Sequence, residues 1–377
     1  MFSRMLKPPR DKSFFLFGPR GTGKSWWVQA TYPAAVYLDL LESELYARLL
    51  AAPGRLESYI PAGHQGRVVI DEVQKVPALL DEVHRLIESR GLKFVLTGSS
   101  ARKLRRKGVN LLAGRALTHY LFPMTIQELG EAFSLEHALD FGCLPSVFSE
   151  SDPRAYLSSY VSTYLREEVQ QEGLTRDLGA FTRFLEAATF SQGSILNVSA
   201  VARECSVGRK VVEDYFGILD DLLLATRVPV FTKKARRKTV AHPKFYFYDT
   251  GVFRLLRPAG PLDAPEEIEG VALESLLFQE LRALNAYGSL GYRIHYWRTR
   301  SGHEVDFVLY GPRGIRAIEI KRGERIRAAD LRGLSAFLAD YPMARALLLH
   351  GGSRRMVEGG VELVPLEEGL RALPDYL

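Results

Sequence analysis

The chain has 377 residues, of which 46% are hydrophobic and 25% charged, a balance that excludes a wholly disordered chain, a coiled-coil rod or a collagen-like fibre. At roughly 100–200 residues per domain, that length predicts two or three domains. A net charge of +6 permits nucleic-acid binding without requiring it, and two cysteines can build neither a disulfide framework nor a four-thiolate zinc site.

Residues 1–12 carry Arg4, Lys7, Arg10 and Lys12 and lack the apolar core of a signal peptide. No run of 18 apolar residues follows, so a spanning helix is not expected and the reading is a cytoplasmic protein without a membrane partner. Over the first 125 residues short apolar strands alternate with amphipathic helices. The predicted strands are 13–17, 35–38, 67–70 and 93–96, and Leu79, Val83, Leu86 and Ile87 give helical spacing over 78–89. That alternation predicts an α/β parallel sheet with helices on both faces.

Between the first strand and a helical stretch lies Gly18-Pro19-Arg20-Gly21-Thr22-Gly23-Lys24-Ser25, which fits G-x-x-x-x-G-K-[ST] at every position. Its glycines let backbone N–H groups cradle phosphates at a helix N-terminus. Lys24 is assigned to the β- and γ-phosphates and Ser25 to Mg²⁺. The strand 68–70 ends in Asp71 and Glu72, where Asp71 can hold the metal and Glu72 can polarise the attacking water; an N-cap role for the pair is the structural alternative. Thr97 ends the next strand, at the place of a γ-phosphate sensor or of an ordinary turn.

Residues 126–192 read as mostly helical, broken at Gly142 and Pro145. Asn197 to Val212 has a helix–turn–helix pattern with Ser199 as expected N-cap, a turn at 206–208 and a second helix opened by Arg209 and Lys210. Thr226–Val230 and Lys244–Tyr248 flank a run containing Lys233, Lys234, Arg236, Arg237 and Lys238, five cations in six residues. With the cluster at 102–107 it makes a DNA-phosphate-facing surface plausible, a packing scaffold being the alternative. The stretch 258–265 is the clearest linker. The resulting division is 1–125, 126–192, 193–258 and 259–377.

In the last part, strand Val305-Asp306-Phe307-Val308 and strand Ala317-Ile318-Glu319-Ile320-Lys321 flank a turn at Gly311–Gly314. Alternation puts Glu319 and Lys321 on one face, and Glu274 interrupts an apolar helix, where a carboxylate needs a reason. Glu274, Asp306, Glu319 and Lys321 look like the PD-(D/E)xK nuclease core, with Val305 at the position of the name-giving proline. Three carboxylates would converge on Mg²⁺ or Mn²⁺, with Lys321 orienting water; without metal, Lys321 is expected to pair with Asp306 or Glu319. The alternative is a nuclease-like fold kept for binding a partner.

The P-loop, the Ile70-Asp71-Glu72-Val73-Gln74 run, Leu96-Thr97-Gly98-Ser99-Ser100 and Leu112-Ala113-Gly114-Arg115-Ala116 resemble the AAA-type ATPases that carry a C-terminal domain of unknown function, DUF4143. The resemblance implies an ATPase core with an additional strand between the P-loop strand and the Asp-Glu strand. It also implies ATP and Mg²⁺ as ligands, a winged-helix-like middle unit, and Arg115 as an arginine finger of a homo-oligomer, with a salt bridge as the alternative for Arg115. The expected function is ATP hydrolysis coupled to a DNA-binding, nuclease-like domain.

Overall fold

The computed structural model describes residues 2–102, 104, 112, 114–165, 177–233, 241–261 and 263–377. Its contacts divide the chain into two compact units. One consists of Ser3–Phe122 with Asp221–Leu224; the other is built mainly from Pro123–Asp220 and Ala225–Leu377.

The first unit is organised on strands β1 (Ser13–Phe17), β2 (Val36–Asp39), β3 (Arg67–Asp71), β4 (Lys93–Gly98) and β5 (Ala116–Tyr120), in the order β2-β3-β4-β1-β5. Every pairing is parallel. All five residues of β1 and of β3 are buried, as expected of strands covered on both faces. Helices α1 (Lys24–Thr31), α2 (Ser43–Ala51) and α3 (Leu79–Arg90) follow strands in the manner read from the sequence. Burial of Phe15, Phe17, Val68, Ile70, Leu86, Phe94 and Leu96 together forms one core, each such side chain contributing about 1.5–3 kcal/mol. Strand β4 lies between β1 and β3, so the additional strand implied by the family resemblance is present.

The second unit begins with helical segments: α4 (Leu135–Phe141), α5 (Pro153–Ser159), α6 (Leu178–Thr189), α7 (Val198–Cys205) and α8 (Arg209–Asp221). Gly142, at φ 74°, ends α4, and Pro145 opens a short 3₁₀ turn. The cap of α7 differs from expectation. Asn197 accepts from the Ala200 N–H at 3.1 Å, which leaves Ser199 inside the first turn. Asparagine is at least as good a cap as serine, and its placement two residues earlier lengthens the helix. Strands β6 (Ala225–Val228) and β7 (Lys244–Phe247) pair antiparallel, and β7 is buried at all four residues.

After α9 (Thr250–Leu256) comes the long helix α10 (Pro265–Tyr287). Strands β8 (Arg293–Arg298), β9 (Glu304–Gly311), β10 (Gly314–Lys321), β11 (Arg345–His350), β12 (Met356–Glu358) and β13 (Val361–Pro365) form a mixed sheet in the order β12-β13-β11-β10-β9-β8. Helix α11 (Arg332–Asp340) packs on β9 and β10. The β9–β10 hairpin turns between Gly311 and Gly314, as predicted, with Ile318 opposite Phe307. One further step along that register puts Glu319 opposite Asp306.

Candidate functional site

The nucleotide loop takes its shape from backbone constraints that only glycine meets. A Cβ on Gly18 would stand 2.3 Å from the Leu121 carbonyl oxygen. Gly21 and Gly23 have φ of 79° and 85°, the left-handed region that costs side-chain-bearing residues. Gly23 is the N-cap of α1, so Lys24 is its first residue and sits where helix N–H groups point outward. The buried Lys24 ammonium folds back onto the carbonyls of Gly18, at 2.7 Å, and Pro19, at 3.1 Å. Thr22 Oγ1 donates to the Pro19 carbonyl at 2.8 Å, tying the loop to itself.

Asp71 at the tip of β3 is held at both oxygens. The Tyr37 hydroxyl donates to Oδ2 and the Thr97 hydroxyl to Oδ1. Tyr37 also interacts with Ser25 and Gln29, and burial, with Asp71 beside it, pushes its hydroxyl above its usual pKa, so it stays a donor. Ser25, Tyr37, Asp71 and Thr97 therefore form one network. Thr97, read as a γ-phosphate sensor or an ordinary strand-end turn, donates its hydroxyl to Asp71 and accepts the Glu72 N–H at 3.2 Å. Tyr37 escaped sequence reading because a tyrosine in an apolar strand carries no motif.

Glu72 has φ 57°, an uncommon conformation for a side-chain-bearing residue. It turns the chain directly after β3, and its carboxylate accepts from Gln74 Nε2, which also reaches Ser99 Oγ at 3.3 Å. A Cβ on Gly98 would come within 2.4 Å of Gln74 Oε1, so the glycine makes room for the side chain that orients Glu72. Neither acid caps a helix through its side chain. Arg20 is exposed on the loop, and Arg115 pairs through Nε with Glu88 on α3, both side chains substantially exposed. A hydroxyl and a carboxylate, Ser25 and Asp71, suit a Mg²⁺ that draws its other ligands from phosphate oxygens and water.

The C-terminal carboxylates gather as the strand register requires, but around a residue the motif did not contain. Lys244 of β7 has a side chain 3% exposed and lies 2.9 Å from Glu274, 2.6 Å from Glu304 and 3.9 Å from Asp306. Its ammonium is also 5.6 Å from the centre of the Tyr296 ring. Burial alone would lower the Lys244 pKa; Tyr246 and the carboxylates of Glu274, Asp306 and Glu304 overcome it and hold it well above its usual value. Tyr246 donates its hydroxyl to Glu274, while burial and the nearby Asp306 raise the Glu274 carboxyl. Asp306 Oδ2 accepts the Ile320 N–H at 3.1 Å.

Lys321 pairs with Glu319 at 2.9 Å, and Arg298 with Glu304 at 3.0 Å. A divalent ion was expected among Glu274, Asp306 and Glu319. Among the described residues no group of three or more His, Cys, Asp or Glu side chains is arranged to hold a metal ion, and the Lys244 ammonium already stands between Glu274 and Asp306. In this arrangement the Lys244 ammonium faces Glu274 and Asp306, and Lys321 holds Glu319 as expected without a metal. Lys244 was legible only as part of a basic strand, because nothing local says which way its side chain turns.

Burial, with Asp306 adding, pushes Glu319 up to about 8. An acid raised above its unfolded pKa stabilises the fold fully below the unfolded value of about 4.3 and loses that contribution as pH rises through the folded one. Stability is therefore expected to fall between about pH 4.3 and 8 on this account, and Glu319→Gln to flatten the decline. Parallel pH profiles of thermal unfolding for the two chains would remove Glu319 as the cause.

Of the residues assigned to DNA, Arg209 and Lys210 are exposed at the start of α8, Arg209 pairing with Glu213 at 3.1 Å. Lys233 is exposed, its ammonium 4.8 Å from the Tyr310 ring centre. Lys234, Arg236, Arg237 and Lys238 lie outside the described residues, as does most of the 102–107 cluster.

Residues 10–130 match the family model of an AAA domain, 133–263 that of a domain of unknown function, DUF8612, and 269–368 that of DUF4143. Uncharacterized proteins of Mycobacterium bovis and Mycobacterium tuberculosis are each 25% identical over 366 residues, covering 95% of this chain and 79% of theirs. An uncharacterized protein of Methanocaldococcus jannaschii is 23% identical over 267 residues, 64% of this chain and 58% of its own. Among solved structures, the Aeropyrum pernix ORC1 protein in complex with DNA is similar over 66% of this chain and 87% of its own, at 11% identity and a TM-score of 0.26. A protein of Vibrio cholerae is similar over 97% and 96%, at 12% identity and a TM-score of 0.24. At such scores these two likenesses decide nothing. No described helix is long and apolar enough to cross a membrane. The two ends of the chain thus match an AAA domain and a DUF4143 domain, the pair that the sequence resemblance implied.

Proposed function

We propose that the chain is an ATP-hydrolysing switch that acts on DNA, with its chemistry in the P-loop unit. The observation that carries this reading is the network of Ser25, Tyr37, Asp71 and Thr97 beside a Glu72 held by Gln74. Lys24 exchanges the carbonyls of Gly18 and Pro19 for the β- and γ-phosphates of ATP, and the loop N–H groups from Gly21 to Ser25 take the remaining oxygens. Held by Ser25 and Asp71, Mg²⁺ would screen the phosphate charge. Glu72 accepts a proton from water as its oxygen bonds to the γ-phosphorus and the bond to the β–γ bridging oxygen breaks, leaving ADP and phosphate.

Arg115 is assigned to the phosphoryl charge of a neighbouring subunit. Its pair with Glu88 is exposed, and solvent-screened pairs of this kind add little to stability, so Arg115→Ala should leave thermal stability nearly unchanged. Turnover should rise with protein concentration, and mixing Arg115→Ala with Glu72→Gln chains should restore part of it. A concentration-independent rate, with a monomer in sedimentation when ATP is bound, would confine Arg115 to its own subunit.

Arg209, Lys210 and the 233–238 cluster are assigned to DNA phosphates. Their contribution should appear as a salt-dependent affinity with a slope of about −0.9 per neutralised phosphate on duplex DNA. Charge-removing substitutions that leave the slope unchanged would move the contact elsewhere.

A second reading concerns the C-terminal domain and is favoured by Lys244. With an internal ammonium at the centre of the carboxylates, this domain serves binding or regulation without cutting. The wild-type chain with Mg²⁺ or Mn²⁺ and ATP is expected to leave plasmid and single-stranded DNA intact; cleavage abolished by Glu319→Ala would restore the nuclease assignment.

A further inference from the structure

Helices α4, α5 and α9 border an open cavity of about 240 Å³, lined among others by Asp140, Arg154, Arg254, Arg257 and Ala259. The close approach that forms it depends on Gly251, where a Cβ would fall 2.1 Å from the Phe141 carbonyl oxygen. Three guanidiniums and one carboxylate line the space. Arg254 pairs with Asp140 at 2.9 Å and Arg257 with Asp263 at 2.9 Å, the latter guanidinium also lying 4.4 Å from the Phe190 ring centre. Arg154 is exposed, and among the described residues it has no ion-pair partner.

The pairing leaves donors over. Arg254 Nη1 and Arg257 Nε are buried without an acceptor among the described residues, although buried donors are nearly always satisfied. Guanidinium donors match the oxygens of phosphate or carboxylate in a forked geometry. With three such groups converging on one space and one positive charge in excess of Asp140 and Asp263, the fitting occupant is an anion with several acceptor oxygens. The volume lies below the ~300–1,000 Å³ of pockets for drug-sized ligands, so that occupant is small.

We propose that the cavity between α4, α5 and α9 is a phosphate-binding site, separate from the P-loop, that takes inorganic phosphate, pyrophosphate or the phosphate end of a small metabolite. It does not rest on the ATPase reading. The same chemistry could be supplied by a phosphate of a nucleic-acid backbone, and the test separates the two sources.

Because the P-loop itself attracts phosphate, the experiment uses the full chain carrying Lys24→Ala. Calorimetry with phosphate and pyrophosphate should still show binding, at least tenfold weaker once Arg154→Ala is added and partly retained with Arg154→Lys. Arg254→Gln, which keeps a donor toward Asp140, provides a second variant and should weaken binding likewise. A short single-stranded oligonucleotide should not compete with pyrophosphate for the site. Absence of binding at millimolar pyrophosphate, or equal affinity with and without Arg154, overturns the proposal. Competition by the oligonucleotide that Arg154→Ala abolishes would overturn the small-ligand assignment in favour of a nucleic-acid phosphate.

Discussion

Lys24→Ala should lose measurable ATP affinity in calorimetry, while Glu72→Gln should bind ATP like the wild type and fail to turn it over. The two effects separate because the residues act at different stages. Lys24 is the buried cation of the loop, and its removal leaves the phosphates facing backbone N–H groups alone. Glu72 is assigned to the attacking water, and general-base assistance of this kind is worth about 10²–10⁴-fold in rate. Gln74 and the Thr97 hydroxyl, which position Glu72, would hold a glutamine in the same place. Unchanged ATP affinity in Lys24→Ala would remove the nucleotide site from this loop.

Lys244→Met should have the largest effect on stability. The substitution keeps an unbranched side chain, one atom shorter, but leaves Glu274 and Asp306, with side chains 16% and 10% exposed, without their shared cation. Breaking a buried pair by removing one partner costs about 3–5 kcal/mol. For a unit of 150–250 residues that corresponds to a fall in Tm on the order of 10 °C. Adding Glu274→Gln should recover part of the loss, because it removes the charge that lost its partner. A single variant as stable as the wild type would mean that the carboxylates are neutralised by something other than Lys244.

The parts legible in the sequence are those in which chemistry is local. The P-loop glycines, the apolar run ending at Asp71 and Glu72, and the Gly311–Gly314 turn each announce a conformation through adjacent residues, and each stands where the spacing put it. Alternation along 317–321 likewise placed Glu319 and Lys321 together. What escaped depended on long-range packing. Tyr37 joins the Asp71 network only because β2 pairs with β3 in register, and Lys244 reaches Glu274 and Glu304 across 30 and 60 residues of sequence only because β7 is buried against the last domain. A lysine in a basic stretch reads as solvated from composition alone; its burial follows from the fold around it.

The measurement that bears most directly on the central claim is phosphate release from ATP by the wild-type chain, with and without Mg²⁺ and with single-stranded or duplex DNA present. The account predicts Mg²⁺-dependent release that Glu72→Gln abolishes and that DNA changes. Release no faster than in buffer under every condition, or equal release by the Glu72→Gln chain, would contradict it.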